Sequence, residues 1–245
     1  MGTLEGKVAV ITGGSSNIGL AIARRFAAEG AKVIIAARGK EKLDEAVALI
    51  GYGAQGIPVD VADEAQVKAL FDPIPQVDLL VTCAGGWVFG AIDELPPQQW
   101  VDLFAGRFFG QMYACRYVVP KMRTGGTIML CSGIAAKAAI ANYAGGSALC
   151  GAVNSMGRAL ALELAPRGIR VNVLSPGLIL SPAELERLPH GQGGDDKIRR
   201  GFIENRIPLQ RPGRAEHMAD AAMFLATCDY ATGMVLDIDG GWTVV

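Results

Sequence analysis

Short apolar segments alternate, almost to the end of the chain, with longer stretches in which apolar positions recur every three or four residues. The first segment, Lys7–Thr12, is β-branched and short, as a strand covered on both faces should be. It passes through a glycine turn, Gly13-Gly-Ser-Ser-Asn-Ile-Gly19, into a stretch whose apolar stripe of Ile18, Ile22 and Phe26 has arginines on its other side and reads as a helix. Further strands are expected at Lys32–Ala37, Gly53–Val59, Val77–Cys83, Gly126–Cys131, Arg170–Leu174 and Met234–Asp239, with helices between them. The predicted fold is therefore α/β: a doubly wound parallel sheet of about seven strands with helices on both faces. No internal repeat, low-complexity tract or shift of composition divides the chain, so residues 1–245 are expected to form one domain. Within it residues 181–214 stand apart. They carry Pro182, Pro189, Pro208 and Pro212 and the loop-like stretch Pro189-His-Gly-Gln-Gly-Gly-Asp-Asp196, which suits a flap beside a ligand or a plain surface insertion.

Composition narrows the class. The net charge is −1 at pH 7 with balanced acidic and basic counts, which gives no electrostatic footprint for nucleic acid or an anionic membrane. Mean hydropathy is +0.30, yet no apolar run approaches the roughly 20 residues of a membrane span, so the apolarity belongs to the core or to a subunit interface. The first residues lack the apolar stretch of a secretion signal, and the expected location is cytoplasmic. Cys83, Cys115, Cys131, Cys150 and Cys228 are an odd number in mostly apolar segments, which points to reduced, buried thiols. With only His190 and His217 and no CxxC spacing, no metal site is expected.

The glycine turn supplies candidate chemistry. Gly13, Gly14 and Gly19 permit a tight turn and close approach to a ligand, and the helix that follows offers free N–H groups and a positive dipole end to a pyrophosphate. The second strand ends at Ala37-Arg38. An acidic residue at that tip would bind the ribose 2′-hydroxyl of NAD, whereas an arginine just beyond it pairs with a 2′-phosphate. NADP is therefore favoured over NAD, with Arg38 as the phosphate partner and Ser15, Ser16 and Lys40 as supporting donors. An ordinary βα turn and a surface arginine are the plain alternatives.

Five segments together resemble the short-chain dehydrogenase/reductase family over nearly the whole chain. Thr12-Gly13-Gly-Ser-Ser-Asn17-Ile18-Gly19 is similar to the family's Thr-Gly-xxx-Gly-x-Gly turn, with asparagine, which tolerates positive φ, at the middle glycine. Asp60-Val61 resembles the pair that contacts the adenine, and Thr82-Cys83-Ala84-Gly85 keeps the Ala-Gly of Asn-Asn-Ala-Gly but neither asparagine. Pro176-Gly177-Leu-Ile179-Leu-Ser181 resembles the segment that holds the nicotinamide carboxamide, and Gly233 to Trp242 the last strand and turn. The resemblance implies a Rossmann fold, a small-molecule substrate, and a homodimer or homotetramer built through the fourth and fifth helices.

It also implies a catalytic set of asparagine, serine, tyrosine and lysine, in which the lysine cation favours the tyrosinate near neutral pH. Here the pattern departs. Ungapped alignment between Gly125-Gly-Thr-Ile-Met-Leu-Cys-Ser132 and Arg158-Ala-Leu-Ala-Leu-Glu-Leu164 puts the serine position on Gly133, the tyrosine on Gly146 and the lysine on Cys150, and the asparagine position falls on Arg107. A gapped register takes Ser132 and Tyr143 as serine and tyrosine but places Ser147 where the lysine should be. Lys137 is the only lysine between Thr124 and Asp196, and it precedes Tyr143. The candidate catalytic residues are thus Tyr143, Ser132 and Arg107, the last as a permanent cation for a carboxylate or oxyanion. Glycines at 145, 146 and 151 are expected to leave unfilled volume, for a larger ligand or a helix shifted inward. Three readings follow: an NADP(H)-dependent oxidoreductase on a carbonyl or alcohol with an atypical proton source, an inactive NADP(H)-binding sensor or partner subunit, or a non-redox enzyme on the same fold.

Overall fold

Parallel pairing joins seven strands into one sheet in the computed structural model, which describes residues 2–180 and 203–245. The strands are β1 (Val8–Thr12), β2 (Lys32–Ala37), β3 (Gln55–Pro58), β4 (Leu79–Thr82), β5 (Thr127–Cys131), β6 (Arg170–Pro176) and β7 (Val235–Ile238), in the order β3-β2-β1-β4-β5-β6-β7. All the predicted strands are present. Their predicted flanks Val77 and Met234 instead donate their N–H groups outside the ladder, to the Lys121 carbonyl and to Asn172 Oδ1. The sixth strand runs past Leu174 because Ser175 and Pro176 pair with Asp237 and Ile238.

Side chains alternate between two cores, as a strand buried on both faces requires. Val10 joins the core beneath α3 (Glu64–Phe71), α4 (Pro97–Phe104), α5 (Gly110–Val118) and α6 (Ala144–Leu164). Its neighbours Ala9 and Ile11 join the core beneath α1 (Asn17–Ala28), α2 (Lys40–Ile50) and α7 (Ala215–Thr227). The predicted stripe of α1 holds: Ile22 and Phe26 are buried and Ile18 packs against the same core.

The sheet order reverses at β1, which pairs with β2 on one side and β4 on the other. Loops leaving the carboxyl ends of β1 and β4 therefore diverge to opposite faces and leave a crevice between them. Residues 181–202, most of the expected flap with Ser181 and His190, lie outside the described residues. The rest of the flap is anchored, since Ile203 and Ile207 are buried. No described helix is long and apolar enough to cross a membrane. All five cysteines are free, with Cys115, Cys131 and Cys150 buried.

Candidate active site

A cleft of about 1220 Å³ fills the crevice. Its floor at the β1 end is Gly13, where φ is +72° and an added Cβ would stand 2.5 Å from the Ala84 nitrogen, so only glycine fits. Gly19 brings the start of α1 against that turn, with room for no side chain: a Cβ there would lie 2.2 Å from the Gly13 oxygen. Asn17 takes the place of the middle glycine at φ +40°, as expected of asparagine. Ser15 and Ser16 line the cleft, whereas Asn17, Ile18 and Gly19 stand behind its wall.

Arg38 is exposed at the tip of β2, on the same wall, and makes no ion pair among the described residues. Lys40 also reaches the wall, but its Nζ is held by Asp44 at 2.8 Å. Asp60 turns the β3 loop toward the cleft by accepting a hydrogen bond from the Ala62 N–H at 3.0 Å, and Val61 packs beside it. A glycine-floored turn beside two serine hydroxyls and an exposed guanidinium fits a dinucleotide.

The region behind Arg107 departs most from expectation: of the three candidate catalytic residues Arg107 lines the cleft, whereas Tyr143 and Ser132 do not. The volume above Gly146 is not empty: an added Cβ would stand 2.0 Å from Tyr143 Cζ, so the Tyr143 ring occupies it. That ring is 6 % exposed and stacks on Phe89 with centroids 4.4 Å apart. Trp100 covers Gly145 in the same way, 3.4 Å from a Cβ position there, and only Gly151 has open space beyond it. At Gly133 the neighbour is Cys150, whose Sγ lies 3.2 Å from the Cβ position. Side chains from adjoining positions have filled the places left by the glycines.

Ser132 is buried, and its hydroxyl donates to the Cys150 carbonyl at 3.0 Å, which turns it into α6 and away from the cleft wall. Lys137 is held by an ion pair to Asp237 on β7. It therefore does not stand in for the missing lysine.

Arg107 is brought in by a distortion of its helix. Between α4 and α5 the chain makes one π turn, Ala105–Phe109, closed by the Gly110 N–H donating to the Ala105 oxygen. Such turns widen the helix and re-aim a side chain. The Arg107 stem crosses Gly85, where φ is +122° and a Cβ would be 2.1 Å from Arg107 Cγ. Its guanidinium donates to the Ser132 oxygen at 3.2 Å and to the Gly86 oxygen at 3.5 Å. Gln111, one turn on, fixes this arrangement. Its Nε2 donates to the Arg107 oxygen at 2.6 Å and to the Cys131 oxygen at 3.0 Å, while its Oε1 accepts from the Thr82 hydroxyl at 2.6 Å. Sequence reasoning missed Gln111 and Phe89; the one available signal was a glutamine four positions after Arg107, on the same side of the helix.

The field of Arg107 reaches several groups. Burial pushes the Tyr143 phenol up, and the Arg107 charge and its donation toward the phenol oxygen oppose that rise. Cys150 is likewise raised by burial against the pull of Arg107. Hydrogen bonding between the two thiols raises Cys83 and lowers Cys131, with burial raising both and Arg107 lowering both.

Pro176 ends β6, and Gly177 and Ile179 follow it. The Pro176 oxygen lies 3.8 Å from the Cβ position of Gly133, Gly177 packs on Asp239, and Ile179 is buried and bridged to Gly213. Among the described residues no group of His, Cys, Asp or Glu could hold a metal ion.

The strand order, the crevice at its reversal and the glycine-floored turn define a Rossmann-type dinucleotide-binding protein. A family model described as enoyl-(acyl carrier protein) reductase matches residues 13–243. The glucose 1-dehydrogenase of Gluconobacter oxydans is 35 % identical over 252 residues, 98 % of this chain and 92 % of that protein. The 3-oxoacyl-[acyl-carrier-protein] reductase FabG of Thermotoga maritima is 35 % identical over 259 residues, 98 % of this chain and 99 % of that one. L-sorbose reductase from Gluconobacter frateurii, solved with NADPH and L-sorbose, superposes with a TM-score of 0.91 at 31 % identity, covering 100 % of this chain and 99 % of that chain. The chain belongs to the short-chain dehydrogenase/reductase family of NAD(P)-dependent oxidoreductases.

Proposed function

We propose that this protein is an NADPH-dependent reductase of a carbonyl substrate in which Tyr143 donates the proton and Arg107 supplies the cation that the family draws from a lysine. The observation that carries this reading is the Tyr143 ring standing over Gly146, with the buried Arg107 guanidinium held on the Ser132 carbonyl and its charge drawing the phenol down against the effect of burial. NADPH held by Gly13, Ser15, Ser16, Arg38, Asp60, Val61, Ala84, Gly85, Pro176, Gly177, Ile179 and Ser181 would supply the hydride to the carbonyl carbon. As the C=O π bond opens, its oxygen takes the phenol proton of Tyr143, and solvent reprotonates the phenolate. A phenol raised by burial stays protonated at neutral pH, which favours donation and hence the reductive direction.

The test is NADPH consumption against a panel of carbonyl compounds. Tyr143→Phe is expected to lower turnover by about 10²- to 10⁴-fold with NADPH binding unchanged. Unchanged turnover would remove Tyr143 from the mechanism. A second reading, a dinucleotide-binding sensor or partner subunit without turnover, draws on the commitment of Ser132 to α6 and on the stacking of Tyr143 beneath Phe89. NADPH binding with no consumption across the panel is its signature.

A further inference from the structure

Arg107 is more than nine-tenths buried, at 8 % exposure, while lining the cleft. No carboxylate among the described residues pairs with it. Its hydrogen-bond partners are neutral: the Ser132 oxygen at 3.2 Å and the Gly86 oxygen at 3.5 Å, which is the limit of a hydrogen bond. Asp102 belongs to the same cleft but accepts from Gln98 Nε2 at 2.8 Å and forms no ion pair with Arg107. The surrounding wall is apolar, with Ala84, Trp87, Val88 and Leu103. A permanent cation in such a place is costly unless an opposite charge joins it, and the low local dielectric makes that attraction strong.

We propose that the counter-charge comes from the substrate: the pocket at Arg107 takes a carboxylate, and the compound reduced is an oxo acid. This rests on the reading of the cleft as a reductase site. The planar guanidinium fork matches the two oxygens of a carboxylate, and a single buried cation balances a single negative charge. A phosphate dianion would leave charge uncompensated there. The other cations of the cleft, Arg38, Lys40 and Lys42, stand at the β2 end, where the dinucleotide phosphate belongs. Held by its carboxylate on Arg107, an oxo acid presents its keto oxygen on the side of Tyr143, so one residue orients the substrate and the next protonates it.

The experiment is titration calorimetry of the full chain with oxamate and malonamate against their neutral diamides, oxamide and malonamide, after NADPH loading in the same cell. At least one acid is expected to bind about tenfold or more tightly than its diamide. Arg107→Met is expected to erase the difference and Arg107→Lys to keep part of it. Equal binding of acid and diamide, or no binding of either acid, overturns the carboxylate assignment, as does tighter binding of inorganic phosphate than of both acids. The comparison on the unmutated chain stands even where a variant fails to fold. Failure to bind NADPH instead overturns the reductase reading, while the acid and diamide pairs on the unloaded chain still report on Arg107.

Discussion

Gly146→Ala isolates the packing of the Tyr143 ring over the start of α6. In a helix interior, glycine to alanine ordinarily stabilises by about 0.5–1 kcal/mol. Here the added Cβ would stand 2.0 Å from Tyr143 Cζ and 2.3 Å from Cε1, so the ring must leave its place. Overpacking of a filled core costs about 1–3 kcal/mol, and loss of the stack on Phe89 adds about 0.5–1.5 kcal/mol. The net expectation is destabilisation by about 0.5–4 kcal/mol, a fall in Tm of about 1–16 °C for a chain of this size. In a Tyr143→Ala background the obstacle is gone, and the same Gly146→Ala change should stabilise by about 0.5–1 kcal/mol. Thermal and urea unfolding followed by circular dichroism on the wild type, both single variants and the double variant measure this coupling. If Gly146→Ala stabilises equally in both backgrounds, the ring does not lie over Gly146 and the placement of the proton donor fails.

Four further predictions are independent of that cycle. Because burial holds the Tyr143 phenol above its ordinary range, ketone reduction should be flat through neutral pH and fall only above about pH 10, whereas alcohol oxidation, which needs the phenolate, should climb into the alkaline range; pH profiles in both directions check the sign. Arg38→Ala should weaken NADPH binding by about 10- to 100-fold and leave NADH unchanged, as calorimetry would show. We propose that the subunit interface implied by the family resemblance includes α6, where Leu162 is 82 % exposed; light scattering should then show an oligomer that Leu162→Arg reduces to a smaller species, and a monomeric wild type would refute it. The Cys115 thiol, pushed up to about 12 by burial, should resist iodoacetamide at about pH 8 in the folded protein and react once urea unfolds it, a difference that mass spectrometry reads directly.

The departure at the catalytic positions has a consistent physical form. Two of the glycines face a neighbour that fills their side-chain space, Tyr143 at residue 146 and Cys150 at residue 133, while Gly151 faces open space. Close packing requires this, since a void beneath a cleft forfeits the contacts of every atom that lines it. Gly146 and Gly133, the tyrosine and serine positions of the ungapped register, both face such a neighbour, and Tyr143 brings its phenol over Gly146 from the start of its own helix.

What the sequence determined by itself was the sheet, its helices and the crevice. Strand burial follows from β-branched runs, helix faces from a repeat of about 3.6 residues, and the dinucleotide turn from glycines whose backbone geometry no other residue shares; all are local properties carried by neighbouring residues. Even Asn17 was legible, because its tolerance of positive φ is intrinsic to the side chain. What only the tertiary structure decided was who occupies the catalytic space. Ser132 turns into α6, Lys137 is spent on β7, Gln111 locks a π turn that aims Arg107 inward, and Tyr143 folds over a glycine three residues away. Those outcomes depend on volumes and hydrogen-bond partners contributed by strands and helices far apart in the chain, and no periodicity along one segment encodes them.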